Sequence, residues 1–236
     1  MSGLIDSASA ILTASERRVE AAAGNISNAS TAGYKRQVAF VQSLERALRP
    51  DATDGTLHFA SDFAQGNLRE TGRPFDLAIF GPALFKLRDG DAFVFSRGGA
   101  FRLGDGGRLI DTAGRVLQQA SGGDLTVESG APEILGDGTV VENGIATGSV
   151  GLFEPAGADS MSALGGGLFA ASPEGMQDAS NSIIKRGQLE SSNVVISDEM
   201  ITMMAAVRQA EGGARLVQFY DQLVGQAITT FSRSNK

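Results

Sequence analysis

Residues 24–36 read GNISNASTAGYKR, and what this stretch does to the chain on either side decides the fold. It directly follows a helical pattern, and no second helical pattern comes straight after it. Asn28 suits the left-handed conformation that closes a helix. Ser30 and Thr31 offer hydroxyls to nearby backbone groups, and Gly33 permits a positive φ. Tyr34 then supplies a ring to pack on, while Lys35 and Arg36 supply charge. The stretch reads as a shaped helix exit that aims the chain, and it is more elaborate than a stop requires.

Upstream, Ile5, Ala8, Leu12, Ser15, Val19, Ala22 and Ile26 recur at alternating spacings of three and four, the a and d positions of a heptad. The large residues Ile5, Leu12, Val19 and Ile26 all stand at a, and every d position is small. Such a seam admits a close partner backbone but buries little. Each large side chain contributes roughly 1.5–3 kcal/mol when fully buried, which does not offset the ordering of about 25 residues. Alone, this helix is marginal.

The far end carries a matching seam. Ile196, Met200, Met203, Val207, Ala210, Ala214, Val217, Asp221, Val224, Ile228 and Phe231 follow the same alternation, and only Asp221 among them is polar. Ser197 and Asp198 suit helix capping, and Glu199 places negative charge near the N-terminus. Gly212 and Gly213 interrupt the pattern, as a bend or a close contact would.

Between the ends the period changes. Segments 74–80, 84–88, 92–96, 100–103, 108–111, 115–119 and 124–128 are short apolar or alternating runs separated by glycine turns, the pattern of an antiparallel sandwich or barrel. Segments 133–135, 139–141 and 145–154 continue it, and 157–169 reads as a mobile loop leading back to a strand. Residues 38–48 suit helix or strand equally. The expected fold is α+β. Residues 1–36 and 190–236 form a helical domain with the terminal helices paired as a coiled coil, 37–73 form a connector, and 74–189 form a central antiparallel β domain. Two lone seams at opposite ends are most simply satisfied by each other, and then by other copies. An ordinary amphipathic core helix would show the same period.

Bulk composition narrows the function. The 236 residues suffice for one large domain or two smaller ones. The net charge of −7 argues against a nucleic-acid surface. The absence of cysteine leaves no disulfide or thiolate metal site. The N-terminus lacks a basic segment followed by an apolar one, so no cleaved signal peptide is expected. No run approaches the ~18 apolar residues of a membrane span. The sole histidine, His58, lies in LHFASDF with no nucleophile signature, which argues against a Ser-His-Asp system. One histidine is too few for a zinc site. Asp51, Asp54 and Gly55, like Asp89, Gly90 and Asp91, lack the spacing of a calcium loop and fit turn chemistry. No phosphate loop is present. Met200, Met203 and Met204 suit packing. No catalytic, cofactor-binding or metal-ligating set is therefore expected.

The opening stretch resembles the signature of bacterial flagellar basal-body rod and hook proteins, which runs roughly A-N-N-[LI]-A-N-x-x-T-x-G-[YF]-K. Asn25, Asn28, Thr31, Gly33, Tyr34 and Lys35 match it, while Gly24 and Ser27 depart from it. Residues 73–87 and 95–117 resemble the family's β-domain entry, with Pro82 and Ala83 departing from it. Residues 188–211 resemble its C-terminal motif through Leu189, Glu190, Ser192, Asn193, Val194, Glu199 and Met200. The resemblance implies a non-enzymatic structural subunit of the rod that transmits torque across the periplasm. Its length and single small β domain are most like the proximal-rod members, with the distal-rod members as the alternative. It further implies passage through the flagellar type III export apparatus and assembly with other rod subunits and with copies of itself into a helical tube. Ile5, Leu12, Val19 and Ile26 would then pack with Met200, Met203, Val207, Val217, Val224, Ile228 and Phe231. A different reading, a secreted β-domain binding module such as an adhesin, needs only the middle of the chain.

Overall fold

The computed structural model describes residues 2–41, 57–128, 132–157, 160–172, 175–179 and 181–234. Among the described residues it is α+β, with two α-helices and antiparallel sheets. Residue contacts divide the chain into two compact units. One comprises Met1–Ser27, Gln37–Ala60 and Val195–Lys236, and the other Asn28–Arg36 and Ser61–Val194.

The helical unit is built from α1 (Ser2–Ser27) and α2 (Ile196–Ser234). They pack antiparallel: Asn25 meets Glu199, Arg18 donates to Gln209 at 2.9 Å, and Ile11 and Leu12 cover Gly213. The small positions of α1, Ala8, Ser15 and Ala22, are buried, as is Asn25, opposite a helix whose own buried residues include Ala206 and Gly213. Small side chains let the two backbones approach, so the larger residues are left to flank the seam. A Cβ on Gly213 would lie 3.2 Å from Ile11 Cγ2; this glycine marks a close contact, and α2 runs through it as one helix. Ser197 and Asp198 sit inside the first turn of α2, where the Val195 carbonyl accepts from the Asp198 and Glu199 amides. Strands β1 (Gln37–Val41) and β2 (Leu57–Ser61) pair beside the helices. The expected connector thus contains strands at its described ends, and residues 42–56, including most of the ambiguous 38–48 run, lie outside the described residues.

Among the described residues, Ser15 Oγ is the one buried side-chain polar atom without a hydrogen-bond partner. A desolvated, unpaired hydroxyl is costly, and serine is a weaker helix former than alanine. Ser15→Ala is therefore expected to stabilise the pairing by about 1 kcal/mol, slowing amide exchange in α1 roughly fivefold. Unchanged or faster exchange would show that the hydroxyl carries no penalty.

The β unit opens with β3 (Leu68–Glu70) and β4 (Leu77–Phe80). Strands β5 (Leu84–Asp89) and β6 (Ala92–Ser96) form the central hairpin, flanked on one side by β9 (Val116–Leu117), β8 (Leu109–Ile110) and β7 (Arg102–Leu103). On the other side lie β15 (Leu168–Ala171) and β14 (Met161–Gly165). A separate three-stranded sheet comprises β10 (Glu133–Ile134), β11 (Thr139–Glu142) and β12 (Ile145–Ser149). Strand β13 (Leu152–Pro155) joins β5 to β16 (Met176–Asp178). The core gathers Leu77, Ile79, Phe85, Leu87, Phe101 and Leu117, with Phe85 and Phe101 edge to face at 5.4 Å.

Two local expectations change. Segment 157–169, read as a loop, contains β14, because the β15 strand gives its backbone a partner and Gly165, Gly166 and Gly167 at positive φ make the turn. Segment 124–128, read as a strand, instead bonds through single residues: Leu125 N–H to Leu117 and Val127 N–H to Gly107. Asp124 within it accepts two bonds from Arg88, at 2.9 and 2.6 Å, and one from Gln118 at 2.9 Å. The Arg88 guanidinium holds the Asp124 carboxyl below the usual carboxylate range. A carboxylate whose folded pKa is lowered contributes stability above its unfolded value and loses it as pH falls through the folded one. Asp124→Asn is thus expected to cost about 1 kcal/mol near pH 7, with the gap to the parent narrowing below about pH 4 in urea titrations. A gap independent of pH would refute the assignment.

Candidate functional site

The motif residues converge on two buried polar clusters, one in each unit. In the helical unit, the Asn25 amide is engaged from both ends. Its Oδ1 accepts from the Gln37 backbone N–H at 2.8 Å, and its Nδ2 donates to the Gln37 carbonyl at 2.9 Å and to Glu199 Oε2 at 3.0 Å. Asn25 and Glu199 are both buried. Glu199 also lies in the first turn of α2, where backbone N–H groups favour a negative charge. The side chain of Asn25 thus ties the exit of α1 to the start of α2 and to β1.

In the β unit, residues 28–36 turn the chain. Asn28 keeps a negative φ, contrary to the left-handed helix closure expected of it. Its carbonyl accepts from Thr31 N–H at 3.0 Å and its Oδ1 accepts from the Thr31 hydroxyl at 3.2 Å, so a hydrogen-bonded turn ends the helix instead. The positive φ falls on Gly33, at 71°. Tyr34 and Lys35 follow, both buried.

Lys35 Nζ lies 2.6 Å from Glu190 Oε1 and donates to the Ala64 carbonyl at 2.7 Å. Arg97 Nε lies 2.8 Å from Glu190 Oε2, and its other nitrogens donate to the carbonyls of Ile79, Gly81 and Ala83. Glu190 Oε1 also accepts from Gly66 N–H, and the Glu190 carbonyl from Gly33 N–H. One carboxylate therefore neutralises two cations that are out of water. Burial pulls the Lys35 pKa below the ordinary lysine value, and the Glu190 bond and charge oppose that shift.

Asn193 extends the cluster. Its Oδ1 accepts from Arg36 N–H at 2.7 Å, and its Nδ2 donates to the carbonyls of Asp62 and Ala64. Two strands deliver these residues: β18 (Gln188–Glu190) pairs with β3, and β17 (Ile183–Arg186) pairs with β4. Leu189 is buried, and Ser192, Asn193 and Val194 are half-buried. Arg97 was given no role by sequence reasoning. Its signal was present in the FSRGGAF run, where a lone arginine precedes two glycines between apolar residues.

The packing residues expected of the helices fall into three groups. Leu12, Val19, Ile26, Met203 and Val217 are half-buried, while Ile5, Met200, Val207 and Val224 are exposed. Ile228 and Phe231 lie on α2, with side chains outside the described residues. The stripe of α2 that turns inward includes Glu199, Met203, Ala206, Ala210, Gly213 and Val217. A second apolar stripe, which the heptad reading missed in part, faces outward: Ile201, Met204, Leu216, Phe219 and Leu223 are all exposed. Its signal was the spacing of 216, 219 and 223, one helical face in its own right. Among the described residues no group of acidic or histidine side chains is arranged to hold a metal, and no helix is long and apolar enough to cross a membrane.

These features coincide with relatives by sequence. Residues 185–230 match the family model described as the flagellar basal body rod FlgEFG protein C-terminal region. The flagellar basal-body rod protein FlgF of Mesorhizobium japonicum is 30% identical over 91% of this chain and 92% of its own length. The FlgF of Caulobacter vibrioides is 28% identical over 93% of this chain and 94% of its own length. The flagellar basal-body rod protein FlgG of Bacillus subtilis is 23% identical over 90% and 93%. With two buried clusters built from the signature residues and similarity running nearly end to end, the chain belongs to the flagellar basal-body rod protein family.

Proposed function

We propose that this chain is a structural subunit of the flagellar rod, without catalytic activity, and that it polymerises through its terminal helices. The observation that carries this reading is the outward apolar stripe of α2, on which Phe219 is 60% exposed and Ile201 61%. A long helix with one apolar face packed and another bare is suited to a further helix-on-helix contact. In this reading α1 and α2 are the assembly domain, paired as a coiled coil and completed by neighbouring subunits, while residues 28–36 and 190–194, expected from the sequence to belong with them, pack within the β unit. Head-to-tail repetition of such a contact builds a helical tube. The placement is in the proximal rod, where a short chain with one small β domain serves as a spacer that conveys torque. Export through the type III apparatus as an unfolded chain agrees with a first helix that buries little on its own.

The test is Phe219→Asp. An exposed site tolerates the change within about 0.5 kcal/mol, so the purified variant is expected to melt like the parent. A charge on a desolvated interface is unfavourable, so cells carrying the variant are expected to lose motility and rods. Normal swimming would remove this reading and favour a β-domain binding module, whose function survives helix changes.

A further inference from the structure

The first turns of α2 carry two exposed thioethers, Met204 on the outward stripe and Met200 on its flank. Ile196, Met200 and Met204 follow one another at a spacing of four, with Ile201 and Val207 beside them, and all five are exposed. Residues so spaced are neighbours on a helix surface. Met200 and Met204 are each 54% exposed, whereas Met203 is half-buried, and Met161 and Met176 pack against the buried Leu84, Phe95 and Phe169.

We propose that Met200 and Met204 form a peroxide-sensitive modification site that controls entry of the subunit into the assembly. This rests on the assembly reading above. The chemistry is a two-electron oxygen transfer. A sulfur lone pair attacks one oxygen of hydrogen peroxide, the O–O bond breaks as the S–O bond forms, and the second oxygen leaves as water after proton transfer. The sulfur is oxidised to the sulfoxide and the peroxide is reduced. A flexible apolar side chain becomes a polar one. On a face that must leave water, each sulfoxide brings a strong acceptor with no donor opposite it, weakening association roughly tenfold. Access makes the site conditional: the free subunit exposes both sulfurs, and the assembled one covers them. Sulfoxide reduction restores the apolar face.

Two measurements test it. First, the purified full-length chain is treated with hydrogen peroxide and its methionines are followed by peptide mass. Met200 and Met204 are expected to oxidise before Met161, Met176 and Met203; equal rates would overturn the site. Second, cells synthesising a tagged chain receive a sublethal peroxide pulse, and incorporation into new basal bodies is compared with and without it. The parent is expected to fall roughly tenfold or more. The Met200→Leu/Met204→Leu chain is expected to keep a ratio near one, whatever its starting level. An equal fall in both would overturn the proposal, because the damage would lie elsewhere in the cell. So would complete failure of the leucine chain to incorporate, because an apolar side chain of similar volume must serve an apolar face. Rods that form normally with Phe219→Asp would remove the assembly reading and this inference together. Rods lost with Phe219→Asp but indifferent to peroxide would remove this inference alone.

Discussion

Replacing Glu190 with alanine is expected to lower the unfolding free energy by about 3–5 kcal/mol, the largest loss we expect from any single exchange in the chain. The side chains of Lys35 and Arg97 are 1% and 3% exposed, and Glu190 is the carboxylate that meets both. Removing it leaves two desolvated cations facing each other with no anion between them. The Gly66 amide loses its acceptor as well. Glu190→Gln keeps an acceptor oxygen but no charge, so an intermediate loss is expected. Urea denaturation of the full-length variants reads the difference directly. A midpoint unchanged in Glu190→Ala would mean that water reaches the cations, and the buried-cluster account would fail. The same variant is expected to abolish motility, since the β unit would no longer close around residues 183–190.

Gly33→Ala is the second large effect, expected to cost roughly 2–5 kcal/mol. Two causes add. The backbone φ is 71°, a region that disfavours a Cβ. The added Cβ would also lie 2.3 Å from the Arg97 carbonyl carbon and 2.3 Å from the Gly98 nitrogen, which are backbone atoms and cannot step aside alone. Gly72 separates the two causes. Its φ is 69°, and nothing lies within 4 Å of where its Cβ would be. Gly72→Ala is therefore expected to lose only about 1 kcal/mol. Equal losses at the two sites, measured by thermal or urea unfolding, would show that the contact with residues 97–98 contributes nothing.

The glycine and the carboxylate belong to the stretches that carry the family signature, and the structure gives those letters a physical meaning. Gly33 is glycine because the chain turns against residues 97–98 there. Lys35 and Glu190 match because they are partners, although 155 residues separate them. Asn25 and Glu199 are likewise partners, in the other unit, 174 residues apart. The signature describes how the subunit closes on itself. The exposed apolar stripe of α2 takes no part in that closure, and it is the surface we propose for contact with neighbours.

The periods were legible because they are local. Spacings of three and four at both ends, alternation in the middle and glycine turns between runs follow from backbone geometry alone, and they placed the helices and most strands. The small d positions of α1 also announced a close helix contact in advance. Segments 124–128 and 157–169 were misread because an alternating run becomes a strand only when a neighbour offers it a ladder. Arg97 went unassigned for the same kind of reason: nothing near it in sequence shows that a lysine and a glutamate will arrive beside it.

The amino-acid sequence by itself thus determined two terminal helices, a β-rich middle and the family signature, since each depends on neighbours a few residues away. Tertiary structure decided which of the apolar faces of α2 is buried, which charges leave water and which apolar residues stay bare. Those outcomes are set by segments far apart in sequence, 93 residues for Arg97 and Glu190 and 174 for Asn25 and Glu199, whose meeting is an energetic result of packing that no local pattern encodes.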